Sequence, residues 1–115
     1  MKMFIDINQV YLHRTPVDFR KAINGLSLIV ESDMTLPVFS GALFVFCNKK
    51  RDKLKLLYWD KTGFALWYKR LEKEKFKWPR KHNDNTIELT EEQLHWLLEG
   101  VDITKHTPLN YQTLL

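Results

Sequence analysis

Cysteine is almost absent from the 115-residue chain: Cys47 stands alone, so no internal disulfide can form. Histidine is scarce and scattered, with His13, His82, His95 and His106 too far apart in sequence for a metal-ligand spacing. Glycine and proline number four each, which excludes a low-complexity or collagen-like chain. No apolar run approaches the roughly 18 residues of a membrane span. The opening MKMFIDINQV lacks the apolar stretch and small-residue cleavage site of a signal peptide. These absences predict a soluble, cytoplasmic protein with no disulfide staple, no metal, no cofactor and no membrane contact.

Large side chains and cations are abundant. Seven Phe, four Tyr and four Trp, within a chain that is 44% hydrophobic, describe one small packed domain. The net charge of +4 conceals a strong asymmetry. From Lys49 to Lys81 there are thirteen basic and four acidic residues, a local +9, against five basic and ten acidic residues elsewhere, a local −5. Such a block attracts phosphate, acidic protein or anionic membrane.

Thr15-Pro16-Val17-Asp18 reads as a helix start, with an N-cap Thr, Pro at the first helical position and an acidic third residue. Phe19, Ile23, Leu26 and Val30 then recur as one apolar stripe, predicting a helix over 16–32. Gly25 inside that pattern costs about 1 kcal/mol relative to Ala, which implies either a close neighbour or an imperfect helix. Gln9–Leu12 before it can be a short strand. Three strands follow, at 42–48, 54–60 and 64–71, as an antiparallel meander, and a short strand at 86–89 comes after the polar loop 80–85. Thr90-Glu91-Glu92-Gln93 is a capping box; Leu94, Leu97, Leu98 and Val101 form that helix's apolar side, and Gly100 ends it. The expectation is an α+β domain over 1–103, with a meander of three to five strands packed by an N-terminal and a C-terminal helix, and a C-terminal arm over 104–115.

Asp60-Lys61-Thr62-Gly63 suggests a three-residue hairpin loop with a bulge at Gly63. That turn sets Leu54, Leu56 and Tyr58 on one face with Leu66, Tyr68 and Arg70. It also places Lys55 directly across from Lys69, beside Trp59 and Trp67, where like charges oppose folding.

Three stretches, in order, carry a resemblance. Asp18-Phe19-Arg20-Lys21-Ala22-Ile23-Asn24-Gly25-Leu26 is similar to the D-x-R-K-x-I-x-G-L segment of the TnpB accessory proteins of bacterial insertion sequence sixty-six and its relatives. Phe44-Val45-Phe46, Asp52 through Asp60, Thr62-Gly63-Phe64, Trp67 through Glu72 and Phe76-Lys77-Trp78-Pro79 resemble that family's longest motif. Leu89 through Leu94, with Leu97 through Asp102, resembles its C-terminal segment. Ala22 and Asn24 stand where the family often has Gly and Asp, and Cys47-Asn48-Lys49 where basic and Gly residues are usual. The resemblance implies a companion to the element's separate, larger transposase and to its other accessory protein. It carries no agreed catalytic residues, and the family is distinct from the RNA-guided nuclease that shares the TnpB label.

Three classes of function remain to be weighed on the residues themselves. An enzyme that cuts DNA with paired metals needs converging carboxylates, and Asp52, Asp60, Glu72 and Glu74 read better as turn residues or partners of nearby Lys. Cys47, at the end of an apolar strand, reads as buried rather than nucleophilic; no catalytic residue is assigned. A nucleic-acid module would use Lys49, Lys50, Arg51, Lys53, Lys55, Lys69, Arg70, Lys73, Lys77, Arg80 and Lys81 on phosphates, with Trp59 and Trp67 free to stack on bases or, alternatively, serving the core. A protein-interaction module would use the last helix, whose Glu91, Glu92 and Glu99 are acidic and whose Trp96 lies off the apolar stripe. The sequence points to a non-catalytic accessory factor binding DNA, the transposase or both.

Overall fold

Leu43-Phe44-Val45-Phe46-Cys47 contains no polar side chain, and in the computed structural model, which describes residues 7–79 and 84–103, this strand is the buried middle of the molecule. It is β2 of a single sheet with β1 (Val10–His13), β3 (Lys53–Asp60), β4 (Gly63–Arg70) and β5 (Thr86–Leu89), arranged β4-β3-β2-β1-β5. Alternate β2 residues serve opposite faces. Leu43, Val45 and Cys47 pack with Leu94, Leu97 and Leu98 of α2 (Glu91–Leu98), whereas Phe44 and Phe46 pack with Leu26 and Val30 of α1 (Ile23–Ser32). The result is α+β in three layers, with one helix on each face. The antiparallel meander holds for β2, β3 and β4. β1 departs from it: it pairs parallel with β2, because the chain between them is long enough to carry α1 across the sheet, and antiparallel with β5.

α2 follows the sequence closely. Thr90 Oγ1 accepts from Gln93 N at 3.1 Å, Gln93 Oε1 accepts from Thr90 N at 2.8 Å, and Gly100, at φ 86°, occupies the left-handed position beyond the helix end.

α1 starts seven residues later than the Pro16 start, for a reason sequence periodicity cannot contain. Lys55, only 8% exposed, sends its ammonium to the carbonyls of Phe19 and Lys21 at 2.8 and 2.7 Å. Those carbonyls are the ones a helix through this segment would give to the amides of Ile23 and Gly25. The Asp18 carboxylate takes the Arg20 amide at 2.9 Å and the Arg20 guanidinium, whose hydrogen bonds hold its pKa down at about 2. Thr15, expected as the N-cap, instead donates its hydroxyl to Asn85 Oδ1 at 2.6 Å. The first turn begins at Ala22, and Phe19 reaches the same apolar cluster from outside the helix. A Cβ on Gly25 would sit 3.0 Å from Cβ of Lys21, the close neighbour that explains a glycine in this helix.

Burial pushes the Lys55 ammonium below its usual pKa, while its two carbonyl bonds and the Phe19 ring, 4.8 Å away, hold it in place. Lys55→Met should lose both charge-assisted bonds and regain part of that in relieved desolvation, a net loss of about 2 kcal/mol. Chemical denaturation of the purified variant measures it, and an unchanged midpoint would remove Lys55 from the framework.

The hairpin differs from the sequence reading by one residue. Asp60 pairs directly with Gly63 around a two-residue loop in which Lys61 takes the left-handed conformation, at φ 55°, so there is no bulge at Gly63. Because side chains alternate, this single step turns every β4 residue to the other face. Leu54, Leu56 and Tyr58 share a face with Lys69, Trp67 and Ala65, and Lys55 lies opposite Tyr68. Lys55 and Lys69 are therefore on opposite faces of the sheet, as are Trp59 and Trp67.

Candidate nucleic-acid interface

The strand register brings the C-terminal ends of β1, β2 and β4 to the same end of the sheet as the N-terminal ends of β3 and β5. Most of the cationic block gathers there. The β2–β3 loop is shaped by Asn48: its Oδ1 accepts from the amides of Asp52 and Lys53 at 3.1 and 3.0 Å, and its Nδ2 donates to Asp52 Oδ1 at 2.7 Å. That last bond holds the Asp52 carboxyl below the usual range. Arg51 closes the loop in the left-handed conformation, at φ 62°, and Lys49 and Lys50 stand exposed at its tip.

A second cationic element lies beside it. After β4 the chain returns as an extended strap, sewn to the loop by Leu71 N to Asp52 O at 2.8 Å and Phe76 N to Arg51 O at 2.7 Å. Phe76 and Trp78 point inward, 1% and 7% exposed, and the indole of Trp78 donates to Arg14 O at 2.7 Å. The alternation over 75–78 leaves Lys75 and Lys77 outward, and Glu72, Lys73 and Glu74 before it are exposed as well. Lys75 is absent from the sequence-derived set, although the in-out pattern Lys75-Phe76-Lys77-Trp78 is itself a strand-like signal that identifies it. Arg14 is a second omission; its Nε donates to Asp84 O at 3.1 Å at this same end.

Lys53 and Arg70 face each other directly across β3 and β4, so a like-charge row exists at this end, two residues from where Lys55 had been expected to make one. Glu72 relieves it, lying 2.8 Å from Arg70 Nε and raising the guanidinium's pKa. The end of β1 is locked by His13, 2% exposed, whose Nδ1 donates to Thr15 O at 2.8 Å and whose Nε2 lies 2.8 Å from Asp33 and 3.3 Å from the Asn85 amide.

Other residues of the sequence-derived set lie elsewhere. Lys55 is buried as described, and Lys69 reaches under α2 to donate to Leu98 O at 2.8 Å, capping the helix C-terminus. Trp67 packs against the α2-side core. Trp59 sits at the opposite end of the sheet in an edge-on cluster with Phe39 and Phe64, at ring distances of 5.0 and 5.1 Å. Trp96 is half-buried against the α2-side cluster. Arg80 and Lys81, and the C-terminal arm, lie outside the described residues. That opposite end carries exposed Asp60, Glu91 and Glu92, so the molecule is polarised along its strands.

The carboxylates weighed for metal chemistry do not converge: Asp52 is bound to Asn48, Glu72 to Arg70, and Asp60 is at the far end. Among the described residues no three His, Cys, Asp or Glu are grouped to hold a metal ion, and no helix is long and apolar enough to cross a membrane. The Cys47 thiol is fully buried and pushed up to about 12 by its desolvation.

Fold and surface together define a small α+β protein with a cationic sheet end, built by one loop and one strap. The chain belongs to the IS66 Orf2-like family, whose profile matches residues 8–108, and is thus an insertion-sequence accessory protein associated with transposition. It is similar to two uncharacterized proteins of Sinorhizobium fredii. It is 38% identical to y4jC over 78% of this chain and 76% of that one, and 32% identical to y4hO over 82% and 81%. No solved structure matches it.

Proposed function

We propose that the basic end of the sheet binds the sugar-phosphate backbone of duplex DNA, so that the protein acts as a non-catalytic DNA-binding factor alongside the element's transposase. The observation that carries this reading is the convergence of two sequence-distant elements, the loop with Lys49, Lys50 and Arg51 and the strap with Lys73, Lys75 and Lys77, on one end. Phe76 and Trp78 anchor the strap, and Asn48 with the two strap amides holds the loop, so the charges are presented in a defined arrangement. Lysine supplies most of the donors, and it grips phosphate as a point charge without reading bases. Trp59 and Trp67, which could have stacked on unpaired bases, are engaged elsewhere, which favours duplex over single strand.

Affinity for a duplex of arbitrary sequence, measured against salt, tests this. Log K is expected to fall linearly with log salt concentration, with a slope near −0.9 for each phosphate engaged and a total of roughly −4 to −6. A flat salt dependence, or no duplex binding at low salt, overturns the proposal.

A further inference from the structure

β4 is an edge strand, with β3 as its sheet neighbour among the described residues. Natural edges are guarded by charge, proline, a bulge or a covering element, because their unpaired backbone groups invite another strand. From Gly63 to Tyr68 β4 has no charge and no proline, its two charges, Lys69 and Arg70, standing at the end of the strand, and its pairing with β3 runs without a bulge. Phe64 through Trp67 are half-buried, Tyr68 is 49% exposed, and beside Phe64 stands Phe39, 61% exposed with its ring 5.5 Å away.

We propose that this edge pairs antiparallel with the same edge of a second copy, about a two-fold axis at Leu66, joining the five strands of the described residues to the same five of the second copy in one sheet. The occupant follows from the strand itself, which is complementary to its own reverse. Centred on Leu66, the pairing sets Phe64 against Tyr68 of the second copy, aromatic against aromatic on the α1 face. On the other face Ala65 meets Trp67 and Gly63 meets Lys69, small against large at each step. A strand from an unrelated protein would impose no such self-complementarity. Strand-edge contacts of this length belong to the lower range of interfaces, below about 1,200 Å² in total, so the dimer dissociates on dilution.

The two-fold axis stands normal to the sheet and turns the two basic ends in opposite directions. Resting on the DNA reading above, the dimer thus holds two duplexes at once.

Sedimentation velocity over about two decades of concentration is expected to show a monomer–dimer equilibrium for the wild-type protein. Leu66→Lys and Leu66→Glu are each expected to be monomeric, because residue 66 meets itself on the axis, while their equimolar mixture dimerises. A monomeric wild-type protein, or single variants that remain dimeric, overturns the proposal, including the case where β4 instead takes up a strand of the transposase. If circular dichroism shows that a charge at 66 prevents folding, Leu66→Cys decides: mild oxidation is expected to link it to its symmetry mate, whereas Ala65→Cys stays unlinked, and absence of that link overturns the pairing. Folded Leu66→Lys is expected to bind one duplex with the wild-type salt slope but not to bridge two. If the wild-type protein dimerises yet binds no duplex, the DNA reading fails and the dimer stands.

Discussion

Changing Lys49, Lys50, Lys75 and Lys77 together to Glu should abolish duplex binding at physiological salt while leaving the fold intact. All four side chains are exposed, and they come from the two elements that meet at the basic end. If each contacts one phosphate, the salt slope loses about 3.6 units and affinity at low salt falls by on the order of a thousandfold, with reversed charge adding repulsion. Stability should hold or rise slightly, because a cluster of like charges is relieved. Fluorescence anisotropy against salt, with circular dichroism as the check on folding, provides the measurement. Full-strength binding by the quadruple variant would move the DNA site elsewhere. The same substitutions at the opposite end, such as Lys61→Glu, should leave binding unchanged.

Phe76→Ala should cost about 3–5 kcal/mol, the range for removing a buried phenyl ring. Phe76 is 1% exposed within the α2-side core, and its amide holds the strap to Arg51. For a domain whose whole stability lies in the ordinary range of about 5–15 kcal/mol, this is a large fraction. Urea denaturation should show a much lower midpoint. DNA affinity, measured where the variant remains folded, should also fall, because Lys75 and Lys77 lose the anchor that aims them. A variant with lowered stability but wild-type affinity would show that the strap charges need no positioning.

Much of this arrangement was legible beforehand, and the physical boundary is visible in particular residues. The capping box at Thr90, the Gly100 stop, the strand at 86–89 and the three central strands are set by interactions among residues a few positions apart, so composition and period suffice. The charge block between Lys49 and Lys81 is a property of the chain and needed no structure to find. The family resemblance likewise stands on ordered residues, and the profile match over 8–108 agrees with it.

What the tertiary structure alone decided depends on partners far apart in sequence. The start of α1 is set by an ammonium 36 residues away from the carbonyl it captures, so Thr15-Pro16 presents a correct local signal that a stronger, distant acceptor competition overrides. The hairpin register turns on whether Lys61 adopts a left-handed conformation, a small local difference that moves a whole strand to the other face and separates Lys55 from Lys69 and Trp59 from Trp67. The parallel seat of β1 and the meeting of loop and strap are long-range pairings that no periodicity encodes. Composition determined that this protein is cationic over one stretch; packing decided which of those cations face water, because burying an ammonium is tolerated only where fixed carbonyls replace its hydration, as at Lys55 and Lys69.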